Sequence, residues 1–89
     1  MKSRCTDTFW KLFDRLHPDA QKQADAAYVL FKSNPYHSSL DFKCVNRQKQ
    51  IYSVRVGAHY RVLGEKSGDA ILWFWIGSHE KYNHLLSEL

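Results

Sequence analysis

Ile71-Leu72-Trp73-Phe74-Trp75-Ile76 is an unbroken apolar run, entered from the turn residues Gly68-Asp69 and left through Gly77-Ser78-His79-Glu80-Lys81-Tyr82. A short, aromatic-rich run bounded by glycines is the pattern of a strand buried on both faces. Such a strand is too apolar to be anything but central in its sheet, which places His79 and Tyr82 at a fixed rim where it ends.

Working upstream, the apolar residues from Leu40 onward recur with a period of 2, the period of sheet. Strands are expected at about 40–46, 50–56, 59–65 and 70–76. The breaks between them, Asn46 to Lys49, Gly57-Ala58 and Lys66-Ser67-Gly68-Asp69, are short and rich in turn formers. Hairpins are the simplest connections across such breaks, and an antiparallel meander is the simplest topology.

The first third of the chain reads differently. Thr6, Asp7 and Thr8 are N-cap candidates for a helix whose Phe9, Leu12, Phe13 and Leu16 share one face. His17-Pro18-Asp19 breaks that helix and starts another, with Asp19 as the expected cap. In the second helix Ala20, Ala24, Ala27, Tyr28 and Phe31 form the apolar stripe, and Ser33-Asn34-Pro35 ends it. After a short polar lead, the expected architecture is therefore α+β within one domain, 1–89. An antiparallel helical hairpin over about 7–33 packs on a four-stranded, mainly antiparallel sheet over about 40–76, and 77–89 follows as a short closing helix or a frayed tail.

Composition narrows the function classes. With 89 residues, 44% apolar and 15% aromatic, the chain can build one core. Thirteen Lys and Arg against nine Asp and Glu leave a formal charge of +4, which favours a polyanionic or acidic partner. Cys5 and Cys44 are too few and too far apart for a disulfide framework or a zinc site, and both are expected as reduced thiols in a cytoplasmic protein. No apolar run reaches the roughly 20 residues of a membrane span, and no secretory h-region is expected.

Strand alternation assigns side chains to faces. Leu40, Phe42, Cys44, Tyr52, Val54, Val56, Tyr60 and Val62 share the parity expected to lie under the helical hairpin. Lys43, Arg55 and Arg61 share the opposite parity on three successive strands and are expected on an uncovered face. Like charges that close repel unless acids or a bound anion offset them. Only Asp41 and Glu65 are acidic at that parity, so the cluster is incompletely paired, and it serves either as a solvated surface or as a phosphate site. His79, at the rim, and His59 can exchange protons near neutral pH, as the cleavage of an RNA phosphodiester through its 2'-hydroxyl requires. Tyr82 has two readings, stacking on a base or packing the C-terminal segment against the sheet. The five histidines show no ligand spacing, so neither a metal nor another cofactor is expected.

The ordered combination of the hairpin ending in Asn34-Pro35, Ser39-Leu40-Asp41-Phe42-Lys43, Tyr52-Ser53-Val54-Arg55-Val56, Tyr60-Arg61-Val62-Leu63 and Trp75-Ile76-Gly77-Ser78-His79 with Tyr82 resembles the RelE/ParE superfamily of bacterial toxins from type II toxin-antitoxin systems. The resemblance implies two helices on an antiparallel sheet. For the RelE-like branch it implies a metal-independent endoribonuclease that cuts mRNA in the ribosomal A site and is held by a cognate antitoxin in a hetero-oligomer. It further implies that Arg61 stabilises charge on the scissile phosphate, that Arg55 grips it, and that His79 transfers a proton. Lys43 and Tyr82 would contact RNA; His59, which the resemblance does not cover, is either a further RNA contact or a packing residue of its hairpin. The ParE-like branch implies instead a non-enzymatic poison of DNA gyrase, and a degenerate copy that only binds antitoxin is the third reading.

Overall fold

The computed structural model describes residues 1–89. It holds a five-stranded sheet in the order β1-β5-β4-β3-β2, formed by β1 (Lys2–Cys5), β2 (Lys43–Asn46), β3 (Ile51–Val56), β4 (Tyr60–Ser67) and β5 (Ala70–Ser78). Helices α1 (Asp7–Asp14) and α2 (Pro18–Ser33) cover one face, and α3 (His79–Glu88) lies on the other. The α+β class and the antiparallel run β2 to β5 are as expected.

The fifth strand was not. The polar lead Lys2-Ser3-Arg4-Cys5 pairs in parallel with Ala70 to Trp73, so β5 has a neighbour on each side. This makes the aromatic strand central, whereas a four-stranded meander would have left it at an edge. Its burial on both faces is incomplete. Ile71, Trp73 and Ile76 are buried under α1 and α2, but Leu72, on the other side, is 41% exposed. A register shift between Leu63 and Gly64 places Phe74 opposite no residue of β4, and Phe74 and Trp75 both pack on the α3 side.

Local chemistry sets the boundaries. The Thr6 hydroxyl accepts from the Phe9 amide at 3.1 Å and caps α1. At α2, His17 rather than Asp19 is the cap: its Nδ1 accepts from the Asp19 amide at 3.2 Å, and Pro18 occupies the first turn, where its missing N–H costs nothing. The strand expected from residue 40 begins at Lys43. Ser38–Leu40 is a 3-10 turn ended by Asp41 at φ 45°, a left-handed conformation that Asp tolerates better than most residues.

The main core joins Phe9 and Phe31 to Leu40, Val54, Val56, Val62, Ile71, Trp73 and Ile76, with Phe42, Tyr52 and Tyr60 packed on it. Phe31 meets the edges of both Trp73 and Phe42, at 5.3 and 5.1 Å between ring centres. A second core lies on the opposite face, where Ile51, Leu63 and Tyr82 are buried with Val45, Phe74, Trp75, Leu85 and Leu86 against them. The face expected to stay uncovered is therefore half covered by α3, because Val45, Ile51 and Leu63 on it are apolar and need a lid. No helix is long and apolar enough to cross a membrane.

Candidate functional site

What α3 leaves open is the end of that face nearest the β3–β4 turn. Arg55 of β3 stands directly opposite Arg61 of β4, and Arg61 stands opposite Gly77 of β5. One row further in lie Lys43, Ser53, Leu63 and Trp75. The two arginines are thus cross-strand neighbours, with Cβ atoms separated by about 5 Å. Lys43 is diagonal to Arg55 and further from Arg61, so it stands at the margin of the cluster.

The cations differ in their partners. Lys43 is neutralised by Asp41, 3.2 Å away, an ion pair about half exposed to solvent. Arg55 donates from Nε to the Ser39 carbonyl at 3.1 Å, and Arg61 donates from an Nη to the Tyr60 carbonyl at 2.8 Å. Neither guanidinium is in an ion pair with a carboxylate. Carbonyl oxygens hold the forks in place without cancelling their charge, and each fork keeps donors free for an anion.

The helix start supplies the imidazole. Ser78 caps α3, its hydroxyl accepting from the Lys81 amide at 3.2 Å, so His79 occupies the first helical position and is exposed. The His79 amide donates to the His59 carbonyl at 2.7 Å, which ties the rim of β5 to the β3–β4 turn. His59 itself sits in that turn and is exposed. It is not on a strand as expected, because Gly57 adopts φ +59° and the turn runs on through His59.

Tyr82 packs rather than presenting its ring to a ligand. It is 5% exposed, and its hydroxyl pairs with the buried Ser53 hydroxyl at 3.1 Å. The ring nonetheless lies between the polar groups of the site: the Arg61 guanidinium carbon is 5.9 Å from its centre and the His79 ring 6.0 Å. Tyr82 is the floor on which the arginine and the histidine stand.

Three contributors escaped the sequence reading. Ser53 looks like an exposed polar residue of the basic face, yet it is 2% exposed and anchors Tyr82. The apolar residues Ile51 and Leu63 at its parity were the available signal for a lid. Trp75 reads as core, but its ring folds over Gly77, where an added Cβ would lie 2.6 Å from the indole. Gly77 thereby makes room for the indole, and nothing in the apolar run announces that contact.

The family model of the ParE-like toxin domain matches residues 18–84. A chain of the RelB–RelE antitoxin-toxin complex from Methanococcus jannaschii superposes with a TM-score of 0.72, at 22% identity over 92% of this chain and 96% of that one. The YoeB/ParE toxin from Agrobacterium tumefaciens gives 0.67 at 16% identity, covering 89% and 99% of the respective chains. YafQ from E. coli gives 0.66 at 12% identity, covering 91% and 96%. At these identities the likeness is one of fold. No curated protein matches the sequence.

Proposed function

The chain belongs to the family of ParE-like toxin domains, and from that premise we propose that it is the toxin of a toxin-antitoxin pair, acting in the cytoplasm as an mRNA endoribonuclease that needs no metal and works in the ribosomal A site. The observation that carries this reading is the pair Arg55 and Arg61, adjacent, without acidic partners and next to the His79 rim. An uncompensated guanidinium pair is unfavourable in the free protein and favourable around a phosphodiester, whose two non-bridging oxygens it can hold.

In the proposed reaction the RNA 2'-oxygen forms a bond to the adjacent phosphorus as the bond from phosphorus to the 5'-oxygen breaks. Negative charge grows on the non-bridging oxygens, where Arg61 and Arg55 stabilise it. His79 gives a proton to the departing 5'-oxygen, and the proton of the 2'-hydroxyl passes to solvent. The products are a 2',3'-cyclic phosphate and a 5'-hydroxyl. Lys43 and His59, both exposed, are assigned to the flanking RNA. Tyr82 is assigned to holding Arg61 and His79, not to RNA.

The proposed partner is an antitoxin, as in the M. jannaschii antitoxin-toxin complex. An acidic segment, disordered until bound, fits the charge of +4 and the open basic row. A second reading, a gyrase poison without catalysis, is favoured by the ParE-like description of the matching family. Induced expression of Arg61→Ala and His79→Ala separates the two. The ribonuclease reading predicts that both variants lose mRNA cleavage and growth arrest while still binding antitoxin. Growth arrest that survives both changes with mRNA intact would overturn it in favour of the gyrase reading.

A further inference from the structure

A groove of about 630 Å³ opens at the end of the arginine row, between α2, the turn Ser38–Leu40 and the β3–β4 turn, and Arg55 and Arg61 both line it. Its size lies within the roughly 300–1,000 Å³ of small-ligand sites. The α2 wall is made by Ala26 and Leu30, so one side of the groove is cationic and the other aliphatic. A phosphate on the guanidinium groups with a base against the aliphatic wall satisfies both sides at once.

Gln23 is the polar side chain on the α2 side. It lies against Gly57, where any Cβ would collide with its end, so the glycine that gives the turn its positive φ also admits the carboxamide to the groove. The other uncharged polar side chain of the lining, Ser39, is already engaged: its hydroxyl pairs with His37 Nδ1 at 2.8 Å, and its carbonyl holds Arg55. Gln23 makes no side-chain hydrogen bond within the chain. A donor and an acceptor, side by side, are therefore free at the groove.

The order of the row selects the nucleotide. Ser39, at the groove, holds Arg55, whereas His79 stands on the Arg61 side, the two packed around Tyr82. The attacking and leaving oxygens lie in line across phosphorus, and His79 is assigned to the leaving one, so the nucleotide that carries the attacking 2'-hydroxyl lies toward the groove. We infer that the groove holds the base of the nucleotide immediately 5' of the cut, that this base is adenine, and that Gln23 reads it. Adenine sets a donor beside an acceptor on both its Watson–Crick and its Hoogsteen edge, and a carboxamide matches either one; the other three bases offer such a pair on one edge at most. The position relative to the cut rests on the ribonuclease reading, while the binding of a 3'-phosphorylated adenosine does not.

Adenosine 3'-monophosphate is the probe. Titrated into the full chain by calorimetry, it is expected to bind about five- to tenfold more tightly than uridine 3'-monophosphate and to shift the NMR signals of the Gln23 side-chain amide. Gln23→Ala, at an exposed helical position that suits Ala, is expected to bind the two nucleotides alike. On a defined mRNA with ribosomes, wild type is expected to cut after adenine in the same excess, and Gln23→Ala to lose that excess. If mRNA stays intact, the ribonuclease reading falls and the titration decides the groove; if mRNA is cut with no excess after adenine, the inference falls alone. Equal affinities in wild type, or a preference that persists in Gln23→Ala, would overturn it. So would a poly-glutamate peptide that binds where neither nucleotide does, which would give the groove to the antitoxin.

Discussion

Arg55 and Arg61 face each other across β3 and β4 with no acid between them, each steadied by a backbone carbonyl. Directly opposed like charges weaken a strand pair by about 0.2–1 kcal/mol, so the row is a local concession in stability. Arg55→Gln and Arg61→Gln are each expected to leave the folded protein as stable or more stable by that amount. Urea denaturation of the two variants measures it. Cleavage, if Arg61 stabilises the phosphate, is expected to fall about 10²- to 10³-fold in Arg61→Gln. A variant that loses both stability and activity would mean that the arginines hold the fold and do not serve a ligand.

Tyr82 separates floor from catalyst. Tyr82→Phe leaves the Ser53 hydroxyl unpaired and is expected to cost about 1–3 kcal/mol, with cleavage retained when measured well below the melting temperature. Tyr82→Ala opens the second core and is expected to cost about 3–5 kcal/mol. Chemical denaturation and a single-turnover cleavage assay read the two effects. Loss of cleavage in Tyr82→Phe at full stability would assign the hydroxyl to the reaction.

Cys5 predicts a pH dependence. Burial pushes its thiol up from the ordinary value. The folded protein therefore keeps a proton that the unfolded chain gives up. The stability tied to the neutral thiol is whole below the unfolded pKa of about 8.5 and is lost as pH rises through the folded value. The stability difference between wild type and Cys5→Ala, followed by urea denaturation, is expected to be constant below about pH 8 and to shift against wild type above it. A constant difference across that range would contradict the burial.

The β1 strand is tested by removal. Its pairing with β5 flanks Ile71 and Trp73, and deleting residues 1–4 strips that edge. Exposing even one large apolar side chain costs about 1.5–3 kcal/mol. The truncated chain is expected to lose at least that much in urea denaturation. Unchanged stability would show β1 to be dispensable.

These same elements show what was legible. The antiparallel run could be read, and parity put Arg55 and Arg61 on one face, but their direct opposition could not, because a turn of Gly57-Ala58 alone would set Arg55 against Tyr60 and the turn runs on through His59. The β1 strand could not, since the two inward residues of Lys2-Ser3-Arg4-Cys5, which alternate in burial, are the small Ser3 and Cys5 and give too little apolar signal to mark a strand. Its trace was indirect: a strand as apolar as Ile71 to Ile76 does not suit a sheet edge. The lid was half legible, because Val45, Ile51 and Leu63 share the parity of the arginines. The Tyr82–Ser53 bond was not, because it joins residues 29 apart through tertiary packing alone.

The arginine row and His79 are proposed to cut RNA. The most direct test maps the ends produced from a defined mRNA with and without ribosomes, using wild type and Arg61→Gln. Ribosome-dependent cuts ending in a 2',3'-cyclic phosphate and a 5'-hydroxyl, lost in Arg61→Gln, are expected. Intact mRNA under both conditions from a protein that still arrests growth, or cuts ending in a 3'-hydroxyl and a 5'-phosphate, would contradict it.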